Sequence, residues 1–122
     1  MTKKPGNPEE IFQEFREDFQ KLFGDELVAI ILYGSGAAGR YVPGRSDINF
    51  LIVLTEAGVE QIDRAVDAVK RWRKRGVATP LFMTPSYVRE SLDAYPIEFL
   101  NMKREHVLVC GQDVLKDLTF EP

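Results

Sequence analysis

The stretch Leu32–Leu54, LYGSGAAGRYVPGRSDINFLIVL, joins two apolar runs through a small, glycine-rich and basic loop. The first run stops at Gly34-Ser35, the second begins at Ser46-Asp47-Ile48-Asn49, and eleven residues separate Ser35 from Asp47. ELVAIILYG and DINFLIVL are continuously apolar and rich in β-branched residues, which predicts two strands covered on both faces. Side chains at i and i+2 of a strand point to one side, so Asp47 and Asn49 share a face. Aspartates at both positions would read as a site for two divalent ions, since each carboxylate brings charge and two oxygens. Magnesium suits such a site, taking one or two carboxylates and completing its shell with phosphate and water. Here the second position offers an amide.

The wider composition is that of an ordinary soluble domain. The chain has 122 residues, 44% hydrophobic and 29% charged, and reads as one domain over 1–122 with enough length for a core. A formal net charge of -3 gives no general case for nucleic acid, so RNA or DNA binding would rest on local patches. No apolar run reaches the roughly eighteen residues of a membrane span, and MTKKPGNPEE has no apolar centre of the kind a signal peptide needs. The single cysteine, Cys110, excludes an internal disulfide and fits a cytoplasmic protein in which it is a small core residue.

Outward from the central stretch, NPEEIFQEFREDFQKLFG predicts a helix with Asn7 as N-cap, Pro8 in the first turn and Gly24 as its stop. GVEQIDRAVDAVKRWRKRG predicts a second, with Val59, Ile62, Val66, Val69 and Trp72 on its inner side and Gly76 at its end. ATPLFMT reads as a strand that Pro80 places at an edge, and TPSYVRESLDAY as a helix capped by Thr84. PIEFLNMK and HVLVCG read as a fourth and fifth strand, and DVLKDL as a final helical turn. The expected fold is therefore α/β (α+β): a mixed sheet of about five strands with helices packed on it.

Gly-Ser, a loop, and Ser-Asp-Ile-Asn leading into an apolar strand resemble the signature of the nucleotidyltransferase superfamily with the polymerase β-like fold. The closest likeness is to the minimal nucleotidyltransferases and the catalytic domains of aminoglycoside nucleotidyltransferases. YPIEFLNMKREHVLVCGQDVL is similar to the second half of such domains, where an acidic residue enters a strand and Gly-x-Asp follows the next one. The resemblance implies that Gly34 and Ser35 cradle a triphosphate, with Arg45 and Ser46 as further binding residues; Arg40 and Arg45 flank the loop, where arginines are either solvated or hold phosphate. If Ala37 and Ala38 begin a helical turn, its free amides extend that anion site. The resemblance also implies that Asp47 is a metal ligand and that Glu98 is the third carboxylate, ligating metal or acting as general base. Asn49 stands where the family carries its second aspartate, so the implied two-ion magnesium site is weakened.

Two functions stay open at this point. One is an enzyme that transfers a nucleoside monophosphate, AMP from ATP or another nucleoside triphosphate, to a hydroxyl. The other is a nucleotide-binding or antitoxin-like module whose catalysis has lapsed at Asn49. Either would call for a second copy or a separate helical partner protein to complete an acceptor pocket. The basic run KRWRKR (70–75) reads first as cations at the negative end of a helix, His106 as a surface or turn residue, and Tyr41 as a base-stacking candidate.

Overall fold

A computed structural model describes residues 5–118; residues 1–4 of MTKKPGNPEE and residues 119–122 lie outside the described residues. Four strands, β1 (Leu27–Tyr33), β2 (Asn49–Leu54), β3 (Leu81–Met83) and β4 (His106–Gly111), form one sheet in the order β3-β2-β1-β4. β1 pairs antiparallel with both β2 and β4, and β2 pairs parallel with β3. The helices are α1 (Phe12–Phe23), α2 (Glu56–Val59), α3 (Val66–Arg73), α4 (Pro85–Ala94) and α5 (Pro96–Arg104).

Both faces of the sheet are covered, as the apolar runs require. Ile30, Leu32, Phe50 and Ile52 pack against Phe15, Phe19 and Trp72 of α1 and α3. Ala29, Ile31, Leu51 and Val53 pack against Val88 of α4, Phe99 and Met102 of α5, and Leu115 beyond β4. The ring of Phe15 stacks on Phe50 at 4.1 Å between centroids and meets Trp72 edge-on at 5.1 Å. Trp72 then donates its indole N–H to Asp18 at 2.8 Å, while Arg75 lies over the indole and pairs with Glu14. Much of the basic run thus clamps α3 to α1.

Several elements differ from the sequence expectation. PIEFLNMK is helix α5, so the sheet has four strands and Glu98 is a helical residue. Pro96 in the first turn and buried Phe99 and Met102 at i, i+3 spacing favour a helix there, while Ile97 is 70% exposed. The helix expected over 58–76 is broken into α2, a 3-10 turn at Ile62–Ala65 and α3. The break turns the inner face onto Ala65, Ala68 and Trp72 and leaves Ile62 and Val66 exposed at 40% and 48%. Asn7 opens a 3-10 turn through its carbonyl, which accepts from Glu10, and its side chain makes no cap bond. Thr84 does cap α4, accepting from the amide of Tyr87 at 3.1 Å. DVLKDL ends in turns rather than a helix.

Gly111 closes β4 on β1. It has φ +84°, and a Cβ there would lie 2.0 Å from the carbonyl oxygen of Val28. Phe15→Ala should cost about 3–5 kcal/mol in chemical denaturation, because the stack on Phe50 leaves little room for collapse around the cavity.

Candidate functional site

The register of the sheet builds the site. Tyr33, the last residue of β1, pairs with Asn49 on one side and His106 on the other, so three strands meet in one row. The chain leaves that row at Gly34, which has φ +79°, and turns through the 3-10 segment Gly34–Gly36. A Cβ on Gly34 would sit 3.0 Å from the side-chain amide nitrogen of Asn49. Only glycine satisfies both the backbone and this contact.

The carbonyl of Gly34 accepts from the amides of Ala37 and Ala38, each at 3.1 Å, and that of Ser35 accepts from Arg40 at 2.9 Å. Ala37 and Ala38 therefore spend their amides inside the turn, and Ser35 and Gly36 hold its leading N–H groups. Ser46 shapes the far end of the loop: its hydroxyl accepts from the Val42 amide at 3.0 Å, and its own amide donates to the Val42 carbonyl at 2.8 Å. Arg45 is exposed in that same turn.

A cavity of about 570 Å³ opens beside the Gly-Ser turn. Tyr33, Gly34, Ser35 and Arg40 line one side, and Tyr95, Glu98, Met102 and Glu105 line the other along α5. Glu98 thus shares a cavity with Gly34 and Ser35. Asn49 lies beside Gly34 and is not among the cavity-lining residues. Asp47 is exposed, precedes β2, and is not among the cavity-lining residues. Its charge acts on Tyr41, whose hydroxyl is pushed up by burial first and then by Glu10 and Asp47. That hydroxyl donates to the Pro5 carbonyl at 3.1 Å, and the Tyr41 ring packs on the core, which makes Tyr41 a fastener of the loop. Among the described residues no group of three or more His, Cys, Asp or Glu is placed to hold a metal ion.

His106 is neither a surface nor a turn residue. Its side chain is 10% exposed in β4, and its Nδ1–H donates to the carbonyls of Met102 at 2.8 Å and Lys103 at 2.9 Å, at the end of α5. Nε2 lies 2.8 Å and 3.0 Å from the two carboxylate oxygens of Asp113. Asp113 is the acid of the Gly-x-Asp motif, so that motif anchors α5 to the sheet. Burial pushes the Asp113 carboxyl up. The hydrogen bonds from His106 and the amides of Lys116 and Leu115 outweigh it and hold the group below its ordinary value. The sequence reading passed over Tyr95, Met102 and Glu105. With Glu98 they stand at i, i+3, i+7 and i+10, a helical stripe that becomes visible once α5 is read as a helix.

Against known proteins, a family model described as "Nucleotidyltransferase domain" matches residues 12–114. The chain belongs to the nucleotidyltransferase domain family. No curated protein matches it. Among solved structures, this nucleotidyltransferase domain is similar to a chain of a toxin–antitoxin crystal structure with AMP-PNP. The two share 13% identity and a TM-score of 0.50, over 83% of this chain and 74% of that one. A tri-AMPylated Shewanella oneidensis HEPN toxin in complex with MNT antitoxin is also similar, at 14% identity and a TM-score of 0.42, over 83% and 73% of the two chains. At these identities the first likeness speaks to the fold alone. No helix among the described residues is long and apolar enough to cross a membrane.

Two outcomes test this geometry. Gly34→Ala should destabilise the domain by about 1–2 kcal/mol in denaturant melts, since it forces a side chain into the left-handed region. Adding Asn49→Ala should return only part of that loss, because the backbone strain stays. For Asp113, a lowered folded pKa gives stability that is present above the unfolded value and is lost as pH falls through the folded one. Denaturation midpoints of the wild type and Asp113→Asn should therefore differ near neutrality and converge as the pH drops below the ordinary carboxylate range.

Proposed function

We propose that this nucleotidyltransferase domain binds a nucleoside triphosphate at the Gly34–Ser35 turn and transfers its nucleoside monophosphate, AMP from ATP, to a hydroxyl acceptor in the cytoplasm. The observation that carries the reading is the turn itself. It is a left-handed glycine at a strand end, beside the side chain of Asn49, followed by a serine, and both line a cavity of about 570 Å³. In the transfer, the acceptor oxygen attacks the α-phosphorus, the bond to the β-phosphate oxygen breaks, and pyrophosphate leaves with its electron pair. The acceptor proton goes to a carboxylate, a role for Glu98 on the cavity wall. Ser35 and the leading amides of the turn hold the triphosphate, and Ser46 and Arg45 support the loop from its far end. The solved structure with AMP-PNP, a toxin–antitoxin, supports ATP as the ligand and a separate protein as the partner.

The donor set suits magnesium in part. A single magnesium would draw on the carboxylates of Asp47 and Glu98 and the amide oxygen of Asn49, of which Glu98 alone lines the cavity. An amide brings no charge and bridges two ions poorly, so these residues fit a single ion better than a pair. When bound, the ion would offset phosphate charge. Asn49 also favours the second reading, a nucleotide-binding or antitoxin-like module that has lost efficient transfer and works through a helical partner or a second copy.

Calorimetric titration of ATP with magnesium into the chain, beside Asp47→Ala, tests the binding claim. Magnesium-dependent binding that disappears in the variant is expected, and no binding to the wild type would remove it. If the missing charge at position 49 costs about 4 kcal/mol of transition-state stabilisation, Asn49→Asp should raise transfer about a thousandfold. No transfer in either form, with binding intact, would leave the binding module.

A further inference from the structure

The charges around the cavity do not suit a polyphosphate as they stand. Among the described residues that line it, Arg40 is the one cation, against the carboxylates of Glu98 and Glu105. Arg40 is already engaged: its Nη2 lies 3.6 Å from Oε2 of Glu105, with the two side chains 70% and 50% exposed. The pair spans the cavity. Arg40 is tied to the Gly-Ser turn by its amide, which donates to Ser35 O at 2.9 Å. Glu105 sits at the end of α5, where its amide donates to Asn101 O at 2.9 Å. An exposed pair at this distance is weak and exchanges partners readily. Phosphate offers a guanidinium a better partner, with more charge and oxygens placed for a two-pronged contact.

We propose that Arg40 is the phosphate-binding residue of this cavity, and that Glu105 is its resting counter-ion, displaced when a triphosphate enters. The proposal rests on the nucleotide reading above and adds to it the residue that receives the phosphates and the one that limits their affinity. Glu105 acts twice, occupying Arg40 and repelling the incoming anion. A ligand gains entry only by outcompeting one carboxylate, which selects for the concentrated charge of a triphosphate over a single phosphate. Arg45, exposed on the far turn and outside the cavity lining, has no such part.

The test is calorimetry on the wild type, Glu105→Gln, Arg40→Gln and the double variant, with ATP, tripolyphosphate and adenosine as separate probes in magnesium buffer. Both side chains are exposed, and circular dichroism checks that each variant keeps the fold. Glu105→Gln should tighten ATP and tripolyphosphate about two- to fivefold and leave adenosine unchanged. Arg40→Gln should weaken both anions, and in its background the gain from Glu105→Gln should vanish. Wild-type binding of ATP with no gain in Glu105→Gln would overturn the exchange and leave the nucleotide reading standing. A gain that survives without Arg40 would also overturn it, since plain removal of charge would then explain the effect. The expected pattern with tripolyphosphate but no binding of ATP would uphold the exchange and sink the nucleotide reading. No binding of either anion to the wild type or to Glu105→Gln would overturn both.

Discussion

Everything at the candidate site depends on β1 being held on both edges and both faces. Ala29, Ile30, Ile31 and Leu32 are fully buried between α1 and α3 on one side and α4 and α5 on the other, with β2 and β4 hydrogen-bonded at either edge. A strand so enclosed cannot slip by one residue without sending its whole apolar set to the wrong layer. Its last pair, Tyr33 with Asn49, therefore falls at a fixed place, and the chain must turn there. Gly34 makes that turn in a conformation that a side chain would strain, with the amide of Asn49 lying where a Cβ would need room. Asn49, at the position where an acid was expected, is thus also the residue beside that turn.

That double role bears on what Asn49 means. A carboxylate in the same place would bring charge to the mouth of the turn, next to the Ser35 hydroxyl and the leading amides. An amide there brings no charge against an incoming phosphate, and it can still offer one oxygen to a cation. The geometry of the turn thus does not need an acid at position 49, whereas paired-ion chemistry does. On the proposed reading, a chain that keeps the turn and lacks the acid would hold phosphate more readily than it would break its bond. Asp47 adds to this asymmetry, since it is exposed before β2 and acts on Tyr41, away from the cavity lining.

The parts legible in the sequence were those whose burial is uniform. β1 and β2 are covered on both faces, so their unbroken apolar runs could be read as strands without deciding which face was inner. The Gly-Ser turn and the Thr84 cap carry local chemistry that needs no tertiary context. α5 was misread because Ile97 is exposed while Phe99 and Met102 are buried, and a short apolar stretch fits a strand or a helix equally well. Its loss hid Tyr95, Met102 and Glu105, which join Glu98 on the cavity wall. The phase of α3 was lost to a 3-10 turn that no residue type announces. His106 was misplaced because its partners, the last carbonyls of α5 and Asp113, come together only when β4 lies against that helix.

α5 is therefore the element on which chemistry and stability meet. Its inner residues, Phe99 and Met102, belong to the core, while Glu98 on the helix and Glu105 just past its end line the cavity. Its end is gripped by His106 through two backbone carbonyls, and His106 is in turn gripped by Asp113. Anchored at that end, the helix places Glu105, the residue just after it, beside Arg40. A ligand that takes Arg40 must part it from Glu105, and of the two the arginine, on the loop, is the more exposed. The pair therefore joins the end of α5 to the loop after the Gly-Ser turn, so a ligand that parted it would act on both at once.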